Sequence, residues 1–482
     1  MKTITHLTIQ QSKMIKIVQY IIILWLSNQC HSFRRLANSR EQNSDWFPSL
    51  YSQNLTNSQY DDAYNTRHRL LSDFNAENHL IQVLPGLSDS MKHYAGHITV
   101  DESKNSNIFY WLFEAPNDAD KLPLLVWLNG GPGCSSMDGL WLELGPLRLD
   151  QYGKVVSINK HSWHNVANLL FIDQPVGTGY SYTKSRSGYA TNDYMVNVQF
   201  YKFMQEFFRL HPRYVQTQTV NGRSVSRPYF MSGESHAGHY IPSMASFIMN
   251  KNDIIRNTAS DDVIISIEGI ALGNPWLDPF HQYDASDFAH GLGIINQGQK
   301  HRLKELEKKC HALLKNGKYN TAACFSLLDK VVDATAVGGS ERVLMYDTRK
   351  YVRQTSSFPP GHETLERYLN RPEVRQALHA TSSPNKFEEC ANPPFNALSH
   401  QDGKGVVTEL VDVLDRGLRV LVFAGQYDLI CNHLGVEKVL RGVRWQHQRD
   451  WLLAQPGNWA PQGRPLGFIR AYKNLEFLIG TE

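Results

Sequence analysis

The chain has 482 residues, of which 41% are hydrophobic and 11% aromatic, and 49 Lys and Arg residues stand against 46 Asp and Glu residues. The net charge of +3 gives no long-range field, which argues against a nucleic-acid-binding protein. The hydrophobic content is sufficient for a substantial core and excludes a disordered or fibrous chain.

Residues 1–32 have the order of a secretory signal peptide. Lysines precede the apolar run Ile17–Leu26, and small residues follow it around Cys30 and Ser32. That run is shorter than the about 20 residues that a bilayer requires, and no later stretch is long enough either. A buried N-terminal helix or a signal anchor is the alternative. We expect routing into the secretory pathway, to a vacuole or lysosome, the Golgi or the extracellular space.

Residues 33–82 are polar and show no steady period, so we interpret them as a flexible lead-in or propeptide. They contain the N-glycosylation sequence Asn54-Leu55-Thr56, in a polar stretch where a glycan could be accommodated. The folded body is expected to extend from residue 83 to residue 482.

Six short apolar runs, separated by helix-length segments, follow the lead-in. This alternation predicts an α/β fold with a mostly parallel central sheet flanked by helices. Residues from about 278 to 353 are charged and helical in pattern, and we expect them to form an insertion, or cap, over the sheet. The predicted strands are Leu124–Leu128, Leu169–Ile172, Tyr229–Met231, Val263–Leu272, Leu418–Phe423 and Leu475–Ile479.

Glycines and polar residues follow four of these runs. Because ligands of open α/β sheets bind beyond the carboxyl ends of the strands, we expect an active-site edge there. The four segments are Asn129–Cys134, Asp173–Gly177, Ser232–Ser235 and Ala424–Asp428.

The most specific motif surrounds Ser235, between a predicted strand and a predicted helix. A tight strand-to-helix turn exposes a serine hydroxyl and tolerates only small residues two positions before and after it, where Gly233 and Ala237 stand. The backbone N–H of His236 is expected to face developing negative charge, with Gly131 of the glycine loop as the second oxyanion donor. Ser235 is therefore the predicted nucleophile.

Asp428 is the predicted acid of a Ser–acid–His relay, because it follows a late strand. A simple turn aspartate is the alternative for this position.

Four ordered motifs resemble the signatures of the serine carboxypeptidases, over a region from about residue 84 to the end. Residues 135–139 and 430–432 are most similar to the branch that trims C-terminal Lys and Arg during prohormone processing. The resemblance implies an α/β-hydrolase fold with a helical insertion, work in an acidic compartment, and removal of one C-terminal residue from peptides or proteins without a cofactor. The motifs are Trp127–Ser136, Asp173–Gly179, Gly233–Tyr240 and Asp428–Asn432.

The resemblance also implies how a chain end is recognised. Asn129, Glu143 and Glu234 match the family's carboxylate-binding positions. Two carboxyl groups held close together cannot both ionise cheaply, so the pair is expected to share a proton. The protonated pair and the Asn129 amide would then donate hydrogen bonds to the α-carboxylate. A solvated helix residue is the alternative for Glu143.

The cysteine roles follow from the same resemblance. Removal of the signal peptide leaves an odd number of cysteines, which predicts two disulfides and one free thiol. The resemblance implies the pairs Cys134–Cys390 and Cys310–Cys324, with Cys431 free beside the acid and reactive toward mercurials. No metal site is expected, because no cysteine pair has zinc-ligand spacing and the pair His236 and His239 lacks a third ligand.

Two departures from the family pattern affect the expected function. His236 replaces the usual Tyr, which is expected to place a titratable imidazole beside the pocket for the penultimate side chain. The general-base His expected beyond the last strand is not present before Glu482, and neither His433 nor His447 has the required position. We expect an incomplete version of an active enzyme. A catalytically silent peptide-binding homologue and an acyltransferase of the same fold are the alternatives.

Overall fold

The computed structural model describes residues 75–88, 90–216, 219, 222–336, 340–353, 361–461 and 463–481. The predicted signal peptide, the glycosylation site at Asn54 and most of the predicted lead-in lie outside the described residues. Residues 75–82 were expected to be flexible, but Ala76–His79 form a 3₁₀ turn and Ile81 is buried. The folded body therefore includes residues that the sequence analysis assigned to the lead-in.

A ten-stranded mixed sheet forms the centre of the described structure, in the order β1-β2-β6-β3-β7-β8-β11-β14-β13-β12. The strands from β6 to β14 in that order run parallel, and the two strands at each edge pair antiparallel. This arrangement confirms the predicted α/β fold class. The strands are β1 (His93–Asp101), β2 (Ser106–Phe113), β3 (Leu124–Leu128), β4 (Leu147–Leu149), β5 (Val156–Ile158), β6 (Asn168–Asp173), β7 (Tyr229–Ser235), β8 (Ile267–Pro275), β9 (Glu341–Leu344), β10 (Asp347–Arg353), β11 (Arg419–Gly425), β12 (Gly457–Trp459), β13 (Gly467–Tyr472) and β14 (Leu475–Gly480).

Helices cover both faces of the sheet. Successive side chains of a strand point to opposite faces, and in β3 the residues Leu124, Val126 and Leu128 pack into one apolar cluster while Leu125 and Trp127 pack into another. The helices are α1 (Asp193–Leu210), α2 (Ala237–Asn257), α3 (Pro279–Gln282), α4 (Ser286–Gly291), α5 (Gln297–Lys315), α6 (Ala322–Asp333), α7 (His362–Leu369), α8 (Pro372–Ala377), α9 (Asn392–Leu398), α10 (Val407–Asp415), α11 (His433–Gly442) and α12 (Gln448–Leu453). Short 3₁₀ turns lie at Trp163–Asn165, Arg186–Gly188, Pro212–Tyr214 and Ser399–Gln401, and a π-helical turn at Gly139–Glu143.

The helices α3 to α10 and the hairpin β9–β10 lie between β8 and β11. The charged pattern of this segment predicted helices, but the hairpin was not predicted. Among the helices in the described ranges, none combines the length and the apolar character that a membrane crossing requires.

Candidate active site

A cavity of about 490 Å³ opens at the carboxyl ends of four adjacent strands, β3, β7, β8 and β11. Asn129 follows β3, Glu234 and Ser235 end β7, Asn274 lies near the end of β8, and Asp428 follows β11. Residues that are far apart in the sequence therefore line one space, because parallel neighbours place their carboxyl ends at the same edge of the sheet.

The backbone at Ser235 has the geometry of a tight strand-to-helix turn. Ser235 has a φ of 55°, a left-handed conformation that costs a non-glycine residue about 1–3 kcal/mol. A Cβ atom on Gly233 would lie 2.3 Å from the carbonyl oxygen of Leu128 and 2.7 Å from the Cβ of Ala237. Small residues on both sides of Ser235 are therefore a packing requirement.

The glycine loop after β3 touches this turn directly. A Cβ atom on Gly130 would lie 2.4 Å from the backbone nitrogen of His236, and Gly131 has a φ of 111°. The two residues predicted as oxyanion donors, Gly131 and His236, thus belong to backbone segments in contact beside Ser235.

Asp173, from the second predicted motif, braces the glycine loop from behind. Its carboxylate accepts hydrogen bonds from Ser135 Oγ at 2.5 Å, from the Ser136 N–H at 3.2 Å and from the Tyr180 N–H at 3.0 Å. Burial raises the pKa of this carboxyl group to about 7, although these hydrogen bonds oppose the shift. Asp173 therefore positions the loop and does not line the cavity.

Asp428 is held by the start of its own loop. It accepts hydrogen bonds from the N–H groups of Ile430 at 2.9 Å and Cys431 at 3.2 Å. Burial raises the pKa of Asp428 to about 7, although these two bonds and one from the Asn274 side chain oppose the shift. The buried Cys431 thiol hydrogen-bonds the Ser235 side chain, and burial raises its pKa, so the thiol keeps its proton. Cys431 thus lies between the predicted nucleophile and the loop of the predicted acid.

Asn274 is a site residue that the sequence analysis missed. It has a φ of 38°, its Oδ1 accepts the Gly425 N–H at 2.9 Å, and its Nδ2 donates to the Cys431 carbonyl at 3.3 Å. It thereby links the ends of β8 and β11 and supports Asp428. The available signal was a polar residue following the predicted strand Val263–Leu272.

We expect Asn274→Ala to reduce the free energy of unfolding by about 1–3 kcal/mol, because the Gly425 N–H loses its acceptor. The pKa of Asp428 should rise further, because the side-chain hydrogen bond that lowers it is removed. Urea denaturation measures the first effect and the acid limb of the pH–activity profile the second. Asn257→Ala is the control, since this exposed amide bonds only locally to the Asp253 carbonyl. Equal stability of the two variants would contradict the bracing role.

The predicted carboxylate-binding residues form one hydrogen-bonded set. Asn129 Nδ2 donates to Glu234 Oε1 at 2.9 Å and to Glu143 Oε1 at 3.4 Å, and its Oδ1 accepts from Trp127 and from Gly139. Burial, and to a smaller extent the adjacent Glu143 charge, raise the pKa of Glu234 well above its usual value. Burial also raises the pKa of Glu143, although the hydrogen bonds that Glu143 accepts oppose that shift. The two carboxyl groups therefore share a proton.

Arg148 supports this pair from outside the cavity, which the sequence analysis did not predict. Its buried guanidinium donates to backbone carbonyls around the π-helical turn that carries Glu143, and burial lowers its pKa to about 10. The carbonyl acceptors are those of Leu140, Trp141, Glu143, Gly145 and Leu147. Arg148 fixes the turn and is not itself a carboxylate ligand in the cavity.

The expectation that a titratable imidazole borders the pocket at His236 is wrong. The ring is stacked on His239 at 5.0 Å, lies 3.7 Å from an Asp402 oxygen, and does not line the cavity. Burial lowers its pKa to about 3, so the imidazole stays neutral over the physiological range. The backbone of His236 contributes to the site, and the side chain packs away from it.

The hairpin β9–β10 forms part of the wall of the cavity. Tyr346 lies in its turn, and the backbone of the hairpin is joined to the loop of Asp428 by two hydrogen bonds, one from Leu429 N to Met345 O at 2.9 Å and one from Thr348 N to Tyr427 O at 3.0 Å. Within the described ranges, the cavity lining contains a single histidine, His362, which contacts an acid other than Asp428.

The structure contains the disulfides Cys134–Cys390 and Cys310–Cys324, the two pairs implied by the resemblance, and Cys431 is free and buried. The first bond joins the glycine loop to the segment before α9. The second joins α5 to α6 within the insertion.

Comparison with known proteins agrees with this geometry. Residues 85–479 match the peptidase S10 family, serine carboxypeptidase. The pheromone-processing carboxypeptidase KEX1 of Phytophthora infestans is 39% identical over 412 residues, which cover 84% of this chain and 68% of that protein. Serine carboxypeptidase S10 family member 2 of Dictyostelium discoideum is 36% identical over 461 residues, 92% of this chain and 78% of that protein.

The crystal structure of KEX1(delta)p, a prohormone-processing carboxypeptidase from Saccharomyces cerevisiae, is also similar. It matches with a TM-score of 0.74 and 26% sequence identity, over 84% of this chain and 91% of that chain. The extent of the family match and the identity to these relatives show that the chain belongs to the serine carboxypeptidase family.

Proposed function

We propose that the protein releases single C-terminal residues from peptides and proteins through an acyl-enzyme on Ser235. The observation that carries this proposal is the hydrogen-bonded set of Asn129, Glu143 and Glu234 in the cavity that contains Ser235. An enzyme that cleaves inside a chain has no need for a carboxylate site next to its nucleophile, whereas an exopeptidase must recognise the chain end.

The nucleophile, the oxyanion donors and the carboxylate-binding residues of acyl transfer are present at the cavity. A general base must also take the Ser235 proton and return it to the amine that leaves when the peptide C–N bond breaks, and no histidine of the described residues bonds Asp428. The Ser235 hydroxyl attacks the last peptide carbonyl, and the backbone N–H groups of Gly131 and His236 stabilise the resulting oxyanion. The Asn129 amide and the proton shared by the two glutamates hold the α-carboxylate of the departing residue. Asp428 occupies the position of the acid that orients a general-base imidazole in such relays.

We further propose that C-terminal Lys and Arg are among the residues released. The carboxyl groups of Asp138 and Glu389 line the same cavity and share a hydrogen bond, and their oxygens are acceptors for a cationic side chain. The names of the relatives, which describe pheromone and prohormone processing, are compatible with such substrates.

We further propose that the protein enters the secretory pathway and is delivered to a vacuole or lysosome, the Golgi or the extracellular space. Its two disulfides are compatible with an oxidising lumen. The signal peptide 1–32 and a glycan at Asn54 belong to this proposal.

The test uses a peptide with a free C-terminal carboxylate and its C-terminal amide. Mass spectrometry should show loss of one residue at a time from the free acid and no loss from the amide. Ser235→Ala should lower the rate at least about a thousandfold, whereas the exposed Ser187→Ala should leave it unchanged. Internal cleavage, or equal processing of the amide, would contradict the proposal.

A catalytically silent peptide-binding protein is the second candidate. It is favoured by one observation: within the described ranges, the hydrogen bonds to Asp428 come from backbone N–H groups and Asn274, and no histidine contributes one. This candidate predicts that the free-acid peptide binds more tightly than its amide and is recovered intact.

A further inference from the structure

Three side chains behind the nucleophile turn form a buried group that does not line the cavity. The His236 ring is stacked on the His239 ring, with the centroids 5.0 Å apart and an angle of 18° between the planes, and both side chains are buried. His239 Nε2 lies 3.1 Å from Asp193 Oδ1. We call His236, His239 and Asp193 the His–His–Asp stack.

The contact between His239 and Asp193 joins two helices near their first turns. Asp193 is the first residue of α1, and His239 lies in the first turn of α2. Burial would raise the pKa of Asp193, but the hydrogen bond from His239 outweighs burial and holds the pKa below its usual value. The carboxylate is therefore ionised and accepts the Nε2–H of His239. In the described part of the chain Nδ1 of His239 has no hydrogen-bond partner, so the bond to Asp193 is the one that orients this ring.

The backbone in front of the stack needs support from its neighbours. Ser235 has a φ of 55°, and a left-handed conformation of this kind persists only where surrounding contacts hold it. On one side the Trp276 N–H donates to the Ser235 carbonyl at 2.8 Å. On the other side the chain continues directly into His236, whose ring is held by the stack. The orientation of the peptide unit between Ser235 and His236 therefore depends on where that ring lies.

We propose that Asp193 and His239 are positioning residues, whose hydrogen bond fixes the His236 ring and through it the backbone N–H that stabilises the oxyanion. This inference rests on the proposed function, in which that N–H is one of two donors. Such donors act only when they point to the place where charge develops, and a displacement of about 1 Å can lower the rate about a hundredfold. Because neither residue lines the cavity, their loss should affect the transition state and leave peptide binding unchanged.

The kinetic test compares two substitutions of Asp193. Asp193→Ala removes the acceptor, and kcat for the free-acid peptide should fall at least about tenfold while KM stays the same. Asp193→Asn keeps the shape and can pair with the imidazole in one of its tautomers, so kcat should stay within about threefold of the wild type. The proposal is overturned if Asp193→Ala keeps the wild-type kcat, if the loss lies in KM alone, or if Asp193→Asn is impaired as severely.

Glu206→Ala is the matched control. It removes a carboxylate that pairs with Arg209, from the same helix as Asp193 but about 20 Å further along its axis, and it should keep the wild-type kcat. Thermal unfolding identifies an Asp193→Ala protein that is misfolded. In that case His239→Phe decides, because it keeps an aromatic ring against His236 and removes the bond to Asp193. A folded His239→Phe protein with the wild-type kcat would overturn the proposal.

A peptide aldehyde separates this inference from the proposed function, because its binding needs no turnover. The Ser235 Oγ adds to the aldehyde carbon, the serine proton passes to the carbonyl oxygen, and the hemiacetal places that oxygen at the oxyanion donors. The aldehyde should bind the wild type at least about tenfold more tightly than the matching alcohol, and Asp193→Ala should lose most of that gain while binding the alcohol equally well.

The outcomes of the aldehyde measurement are distinct. An equal gain in the wild type and in Asp193→Ala would overturn the inference and leave the proposed function standing. An aldehyde that binds the wild type no better than its alcohol would refute the oxyanion donors themselves, and the positioning role with them. Loss of the gain in a protein that does not cleave the free-acid peptide would support the inference and contradict the proposed function.

Discussion

Peptide binding is expected to weaken about tenfold for each pH unit above the point at which the Glu143–Glu234 pair loses its shared proton. The reason is that a fully ionised pair repels the α-carboxylate, whereas the protonated pair donates a hydrogen bond to it. Burial and the Glu143 charge raise the pKa of Glu234 well above its usual value, so the pair stays protonated well beyond the usual range of a glutamate.

This pH dependence is measured as peptide affinity in the Ser235→Ala background, where cleavage does not interfere. A double variant, Glu143→Gln with Glu234→Gln, cannot ionise and should give a nearly flat profile over the same pH range. The C-terminal amide should show no such pH dependence in either protein. If the Ser235→Ala protein with both glutamates intact binds the free acid with constant affinity from acid to alkaline pH, the shared-proton account is excluded.

The same pair makes the stability of the fold pH-dependent. Because the folded-state pKa of Glu234 is raised, its stabilising contribution is fully present below the unfolded-state value of about 4.3 and is lost as the pH rises through the folded-state pKa. In the variant with Gln at both positions, this part of the pH dependence of the free energy of unfolding should disappear.

Gly130→Ala is expected to lower kcat/KM about 100-fold with little loss of folding. The added methyl group would lie 2.4 Å from the backbone nitrogen of His236 and 2.9 Å from the backbone oxygen of Glu234. Both contacts are with backbone, so neither can be relieved by rotating a side chain. The glycine loop must move away from Ser235, which misplaces the oxyanion donors.

Gly442→Ala is the control for this substitution, because an added Cβ there meets nothing within 4 Å. Thermal unfolding of both variants separates a local displacement from a general loss of structure. A Gly130→Ala protein with wild-type kcat/KM would show that the contact between the two loops does not position the donors.

The parallel centre of the sheet could be predicted because its strands are continuous apolar runs, and β3 was placed without error at Leu124–Leu128. The run Val263–Leu272 was assigned as one strand, but β8 begins at Ile267, because Ile264 pairs with Val225 in a separate bridge before the chain turns into the sheet. The edge strand β1 was missed, since buried His93 and small residues interrupt its apolar pattern.

The site residues that could be predicted also differ from those that could not in whether their contacts are local or distant in the sequence. Ser235 and its flanking small residues belong to a local turn, so the local sequence is sufficient to predict them. Asn274 and Arg148 act through contacts with segments that are distant in the sequence, which no local pattern reveals. The environment of His236 was mispredicted because packing against His239 and Asp402, rather than its place beside Ser235, decides where the ring points.

The hairpin β9–β10 meets the loop of Asp428 through the two backbone hydrogen bonds described above, through Val343, which packs in one apolar cluster with Leu429, and through Arg349, whose guanidinium lies 4.4 Å from the centre of the Tyr427 ring. Main-chain bonds of this kind do not depend on which side chains the hairpin carries. A substitution at Tyr346, which lines the cavity, can therefore change what enters the pocket while the backbone bonds, Val343 and Arg349 keep the loop of Asp428 in place. Substrate choice and bond cleavage are in this sense separable parts of the molecule.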